Sequence, residues 1–304
     1  MFIRRLLASN AFMMSTAFVL AMIFGGFPQL VTGLTNSTIS MISLGVMMSF
    51  SLCSLRFRGL KAARHGKAVF RAFLLSFVLG SGLTILLAQL FQGDIRDGWI
   101  LIAAVPSAVS VIPFCYLLRG ELEATLVSSA ALYFIALLFT PLITLIFIGE
   151  AVSPDTVLRY VGILILIPML ISRPIRALKL SEESKHIAVN VSFFILVIAV
   201  AGTNRQVFFG EPLLLISLLS VAIVRTFGVG ILYDHLARKN GVSRARRVPE
   251  VLFATHKNTG MAAALAMNLL GPGAAVPATV LMSVDIVWLI YITRFMAPSS
   301  MVGY

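Results

Sequence analysis

Apolar runs of about 20 residues, the length that crosses a bilayer as a helix, recur along almost the whole chain, parted by short polar clusters. The pattern predicts ten helical spans, over 10–27, 37–55, 69–90, 98–118, 123–148, 156–171, 187–201, 212–236, 250–270 and 274–295. Pro28 stops the first span, and Pro106 and Pro113 interrupt the fourth. No stretch is long and polar enough to make a separate soluble domain. The fold class is therefore all-α and polytopic.

Composition agrees. The chain has 304 residues, of which 59% are hydrophobic and 12% charged, whereas a soluble domain carries about 25% charged residues. The net charge of +12 invites a nucleic-acid reading, but the placement of the charges opposes it. Basic residues cluster at the start (Arg4, Arg5), between spans two and three (Arg56, Arg58, Lys61, Arg64, Lys67), between six and seven (Arg173, Arg176, Lys179, Lys185) and between eight and nine (Arg238, Lys239, Arg244, Arg246, Arg247). With ten spans all of these fall on one side. The other side holds Arg96, Arg159 and Arg205 among Asp94, Asp97, Glu150, Asp155 and Glu211. This is the positive-inside bias, and it predicts an inner (plasma) membrane protein with both termini cytoplasmic. The expected partners are the bilayer and a small molecule, with no nucleic acid. Arg4 and Arg5 precede a stretch read as the first span, because no small-x-small cleavage site follows.

An even span count invites a search for a repeat. Ala124-Thr125-Leu126-Val127-Ser128-Ser129 and Ala278-Thr279-Val280-Leu281-Met282-Ser283 lie about half the chain apart. Five spans per half place the halves in opposite orientations, the inverted-repeat plan of many secondary transporters. The repeats run over about 1–150 and 151–304. Spans four and nine then correspond. Span four carries Pro106 and Pro113; span nine carries Asn258-Thr259-Gly260, a poor helical stretch. Interrupted helices at matching positions point to a binding site.

Few ionisable groups lie within the spans. Arg225, Lys257 and Asp285 sit near the middles of spans eight, nine and ten, with His256 beside Lys257. Each would cost about 2.5–3.5 kcal/mol if left alone in the membrane. Asp285 neutralises one cation, so an anion-binding cavity with a Lys257–Asp285 ion pair is expected. A permanent Arg225–Asp285 or Lys257–Asp285 pair that only joins helices is the structural alternative. His256 reads as a packing residue. Cys53 and Cys115 lack metal-ligand spacing and read as small apolar fillers. Hydrolytic, ATP-binding and paired-cysteine motifs are absent from the sequence, so no enzyme and no cofactor is expected.

Two stretches carry a resemblance. Pro106-Ser-Ala-Val-Ser-Val-Ile-Pro-Phe-Cys-Tyr116-Leu-Leu-Arg119-Gly120-Glu121 resembles the fourth-helix signature of the bile acid:sodium symporter family, with the proline, the Tyr-Leu and the Arg-Gly-acid in register. Lys257-Asn258-Thr259-Gly260-Met261-Ala262-Ala263-Ala264-Leu265-Ala266, followed by Ala275-Val276-Pro277, resembles its ninth-helix signature. The resemblance implies a panel of helices (about 10–55 and 156–201) and a core (about 69–148 and 212–295) in which broken helices four and nine cross. It implies transport of organic anions such as bile acids and small carboxylates, usually with two sodium ions behind the crossing. Pro106, Ser110, Pro113, Lys257, Asn258, Thr259, Asp285 and Arg225 are the expected substrate or coupling residues.

The departures from the family pattern are specific. Val111 and Ile112 stand where the family has a Ser-Asn pair that helps hold sodium. Phe253 replaces a glutamate, and Lys257 replaces a glutamine. Thr125 and Ser129 remain as hydroxyls of a residual cation site. Too few oxygens are left for a hard cation, so Lys257 is expected to stand in for a sodium ion, with proton exchange on Lys257 near Asp285 as a substitute coupling. The alternatives are a cation/proton antiporter built on a Lys257–Asp285 pair, and an anion-sensing membrane protein that moves nothing.

Overall fold

The computed structural model describes residues 2–53, 62–149 and 152–296. Fifteen helices follow one another among them: α1 (Phe2–Ala8), α2 (Asn10–Phe24), α3 (Gln29–Thr32), α4 (Asn36–Cys53), α5 (Gly66–Ala88), α6 (Gly93–Ala104), α7 (Val111–Leu117), α8 (Leu122–Phe147), α9 (Pro154–Ala177), α10 (Glu182–Thr203), α11 (Gln206–Gly210), α12 (Pro212–Lys239), α13 (Arg244–Thr255), α14 (Thr259–Leu269) and α15 (Pro272–Phe295). Seven of them, α4, α5, α8, α9, α10, α12 and α15, are long and apolar enough to cross a membrane. Outward-facing Leu86, Phe134, Leu138, Leu170 and Leu213 leave an apolar exterior that only lipid suits.

Helix starts follow local chemistry. Ser9 accepts from Phe12 N and opens α2, which Gly25 closes at φ +85°. Ser153 accepts from Thr156 N ahead of Pro154, and Asp155 lies in the first turn of α9. Ser181 accepts from Ser184 N, and Glu182 and Glu183 complement the N-terminus of α10. Hydropathy alone missed these capping signals. As a result α9 and α10 are longer than predicted, and Arg173 and Arg176 belong to α9 rather than to a loop. Likewise α13 starts at Arg244, so Arg244, Arg246 and Arg247 form its first turn. Arg56, Arg58, Lys61 and Glu150, and the side chain of Arg5, lie outside the described residues.

Two groups of helices pack most closely. In one, α10 lies against α4 and α2, and α9 lies against α4. Gly202 permits the approach of α10 to the α2 end, since a Cβ there would stand 2.3 Å from the backbone of Gly25. In the other, α6 packs on α5, α8 and α15, while α13 packs on α12 and α5. Gly98 of α6 lies directly under α15, where an added Cβ would come 2.1 Å from the Ala274 carbonyl.

The second group contains one order of elements twice. A long helix with a π-helical segment (α5, with Leu74–Gly80) is followed by α6, an extended break, α7 and the long α8. A second long helix with a π-helical segment (α12, with Val224–Gly228) is followed by α13, a second break, α14 and the long α15. π-segments of this kind are concentrated at functional sites because they turn side chains out of helical register.

Candidate functional site

The two breaks meet. Asn258 N donates to Pro106 O at 2.9 Å, and Ala108 N donates to His256 O at 3.2 Å. Ser107 and Lys257 thereby form an isolated antiparallel bridge. Pro106, with no N–H of its own, ends α6 and still offers its carbonyl to the opposite break. Asn258 Oδ1 accepts from Met261 N at 3.1 Å and caps α14, while its Nδ2 donates to Tyr133 OH at 2.9 Å. In the extended break, consecutive side chains face opposite ways. Lys257 turns towards α5 and α6, and His256 lies tilted over Phe114, ring centroids 6.4 Å apart.

Lys257 is 2% exposed. Its Nζ donates to Ser81 Oγ at 2.8 Å, Val105 O at 2.9 Å and Ala103 O at 3.0 Å, and lies 4.5 Å from the centre of the Phe77 ring. The two carbonyls only accept. The Ser81 hydroxyl lies 2.6 Å from Ala103 O and 3.2 Å from Ser76 O; with its hydrogen on either carbonyl, it too accepts from the lysine. With Ser81 accepting, the three oxygens match the three N–H donors of an ammonium. The ammonium thus sits at the C-terminal end of α6, where the last carbonyls of a helix are otherwise unpaired. The remaining carbonyl there, Ala104 O, accepts from Thr140 Oγ1 at 2.8 Å.

Arg225 does the same for the other half-helix. It lies in the π-segment of α12 and is 1% exposed. Its Nη1 donates to Thr255 O, the last carbonyl of α13, at 2.8 Å, and its Nε donates to Thr84 Oγ1 at 3.2 Å. Each broken helix therefore ends on a tethered cation brought by another element. Ser76, Ser81, Thr84, Tyr133 and Trp288 complete this site, and sequence reasoning missed all of them. The two π-segments carry the only local signal, and π-segments are not legible in hydropathy.

The predicted residues divide accordingly. Pro106, Lys257, Asn258 and Arg225 are brought together at the crossing. Thr259 opens α14 and is buried. Ser110 stands at the start of α7, and Pro113 lies exposed in the first turn of α7, where its missing N–H leaves no bond unmade. Pro113 therefore does not help break the helix. The expected Lys257–Asp285 ion pair is not formed, nor is an Arg225–Asp285 pair. Lys257 spends all three donors on α5 and α6, and Arg225 turns to Thr255 instead. Coupling by proton exchange on Lys257 finds no support in this bonding.

Thr125 Oγ1 donates to Glu121 O at 2.7 Å and lies 3.1 Å from Cys115 Sγ. It lines a narrow crevice with Ser128, Arg71, Glu250 and Phe253. Ser129 is not part of that lining, and its buried Oγ has no partner. Glu250 holds the crevice wall: Oε1 lies 2.7 Å from Arg71 Nε and accepts from Arg246 Nε at 2.9 Å, and Oε2 accepts from Tyr233 OH at 2.9 Å.

These elements define a helical multi-pass membrane protein with two broken helices crossed at a buried polar centre. The family model described as Sodium Bile acid symporter family matches residues 41–209, more than half of the chain, and the chain belongs to that family of transporters. The matched stretch contains the first broken helix and ends before the second. No curated protein matches the chain.

Proposed function

We propose that this protein is a secondary transporter of a small organic anion, working by alternating access, in which Lys257 replaces a sodium ion. The carrying observation is the bonding of Lys257 Nζ: three oxygens and an aromatic face enclose it at the end of α6. That oxygen set suits a small cation, and the ammonium already fills it. On this reading the chain crosses the inner membrane ten times in two inverted repeats, about 1–150 and 151–304, with both termini in the cytoplasm. The group of α2, α4, α9 and α10 is the panel; the group around α6 and α13 is the core. In the first turn of α14, Gly260 lies directly against Leu196 of α10, where an added Cβ would come within 2.8 Å; on this reading the substrate path between panel and core is closed there.

The antiporter reading loses its Lys257–Asp285 pair. The anion-sensing reading has no observation in its favour. The test is a thermal-shift screen of small carboxylates and sulfonates with and without sodium, followed by uptake of the best stabiliser into proteoliposomes with sodium replaced by choline. Uptake that persists in choline supports the proposal. Uptake that vanishes in choline ends it.

A further inference from the structure

Asp285 is the buried aspartate of the described residues, 5% exposed, and the crossing does not use it. Its Oδ1 has no hydrogen-bond partner, while the Thr226 hydroxyl lies against its carboxyl group. Arg225 is the charged group that acts on it, yet the two form no ion pair, and Arg225 Nη2 also lacks a partner. Arg225 in turn acts on His256, in the break of the second broken helix. The other elements packed on α15, namely α2, α6, α10 and α14, bring it no charged group among the described residues.

An arginine beside an ionised carboxylate closes to a short, often bidentate pair, the strongest contact open to either group. Here Arg225 Nη2 and Asp285 Oδ1 both stay unpaired, and the rest of the guanidinium is spent on Thr255 O, Thr84 Oγ1 and Thr226 Oγ1. A carboxylate held by one hydroxyl at this burial would cost several kcal/mol; a carboxylic acid costs less. We propose that Asp285 is a proton-binding site and that Arg225 is shared between its carboxylate and the Thr255 carbonyl. With the proton on, Arg225 caps α13. With the proton off, the negative carboxylate draws Nη2 towards it, and Nη1 leaves Thr255 O. The end of α13 then loses its tethered cation, next to the His256–Ala108 bond that joins the two breaks. Loading a proton from water thus sets the geometry of the crossing. The proposal rests on the transporter reading only for the use made of the proton, not for the site itself.

Trp288 reports on this site. It lies one turn after Asp285 in α15, its Nε1 donates to Thr255 Oγ1 at 3.1 Å, and it is buried. The chain has two tryptophans, and the second, Trp99, makes no hydrogen bond through Nε1, so Trp99→Phe leaves a single emitter. The experiment is a pH titration of Trp288 emission in the full chain in lipid nanodiscs, without any substrate. The expected result is one step with the slope of a single proton, lost in Asp285→Asn. A flat titration, or a step that survives Asp285→Asn, overturns the proposal. If that variant does not fold, infrared spectroscopy of the Trp99→Phe chain with carbon-13 aspartate decides. A label-shifted carboxylic-acid band that disappears with the same midpoint as the Trp288 step supports the site; no label-shifted band titrating with that step overturns it. Neither readout involves uptake, so failure here leaves the transport reading standing, and failed uptake leaves the proton site standing.

Discussion

At the scale of single residues, the centre of this protein is two buried cations held mainly by dipoles rather than by carboxylates. Lys257 and Arg225 each meet the carbonyl end of a broken helix. A helix terminus contributes only about 0.3–2 kcal/mol to a charge placed there, so the hydroxyls of Ser81 and Thr84 and the Phe77 face are needed as well. Removing the lysine takes the donor from buried neutral oxygens, at a cost of about 1–3 kcal/mol for a group left unsatisfied. Lys257→Met is therefore expected to unfold at clearly lower temperature than the wild type. Lys257→Gln vacates the charge but leaves the oxygens, and is expected to gain a thermal stabilisation from sodium over choline that the wild type lacks. Equal melting curves in the two salts for Lys257→Gln would show that the lysine does not occupy a cation position. Asn258→Ala removes the cap of α14 and the bond to Tyr133. It is expected to cost about 1–2 kcal/mol, and Tyr133→Phe, which keeps the cap, to cost less in the same melting assay.

At the scale of elements, close approach and helical distortion matter more than hydropathy. Gly98 sits where α6 passes under α15, and its missing side chain faces a backbone carbonyl that has no freedom to move. Gly98→Ala is expected to destabilise by about 1–3 kcal/mol through overpacking. Gly82 lies in α5 with open space where a Cβ would stand, and Gly82→Ala is expected to stabilise by about 0.5–1 kcal/mol through helix propensity. Thermal melts of the pair check both, and a shift of the same sign in both would refute the packing argument. Much of this scale was legible beforehand. Apolar length located the helices and Pro106 marked the first break; the second was expected at Asn258-Thr259-Gly260, but Thr259 and Gly260 open α14 and the break is His256-Lys257-Asn258. The start of α13 was not legible, because Arg244, Arg246 and Arg247 look like loop residues until Glu250 and Asp234 are seen to hold Arg246 and Arg247 on the helix. The partners of Lys257 were not legible either: Ser81 lies 176 residues away, and no period in the sequence connects the two. The Lys257–Asp285 pair was expected because opposite charges at one depth should meet, but backbone carbonyls at a broken helix end can satisfy an ammonium just as well.

At the scale of the whole molecule, the twofold order of elements makes a geometric demand that can be tested without knowing the substrate. The turn between α5 and α6 and the turn between α12 and α13 hold the same place in the two halves. If each half crosses the membrane an odd number of times, those turns must lie on opposite sides. On the proposed topology, the basic residues around the second turn, Arg238, Lys239, Arg244 and Arg247, put it on the cytoplasmic side by the positive-inside bias, and the first turn, beside Asp94 and Asp97, on the other. Gln92 and Asn240 stand in these two turns, and both are exposed and neutral. A cysteine at either position leaves the charge bias as it is. The native Cys53 and Cys115 are buried, which keeps the background of thiol labelling low. With a membrane-impermeant maleimide on intact cells, Gln92→Cys is expected to label and Asn240→Cys to stay unreacted. Inverted vesicles should reverse the pattern. Labelling of both positions from the same side would mean that the halves are parallel, that the span count is wrong by one, and that the crossing of α6–α7 with α13–α14 cannot be the pivot of an inverted-repeat transporter.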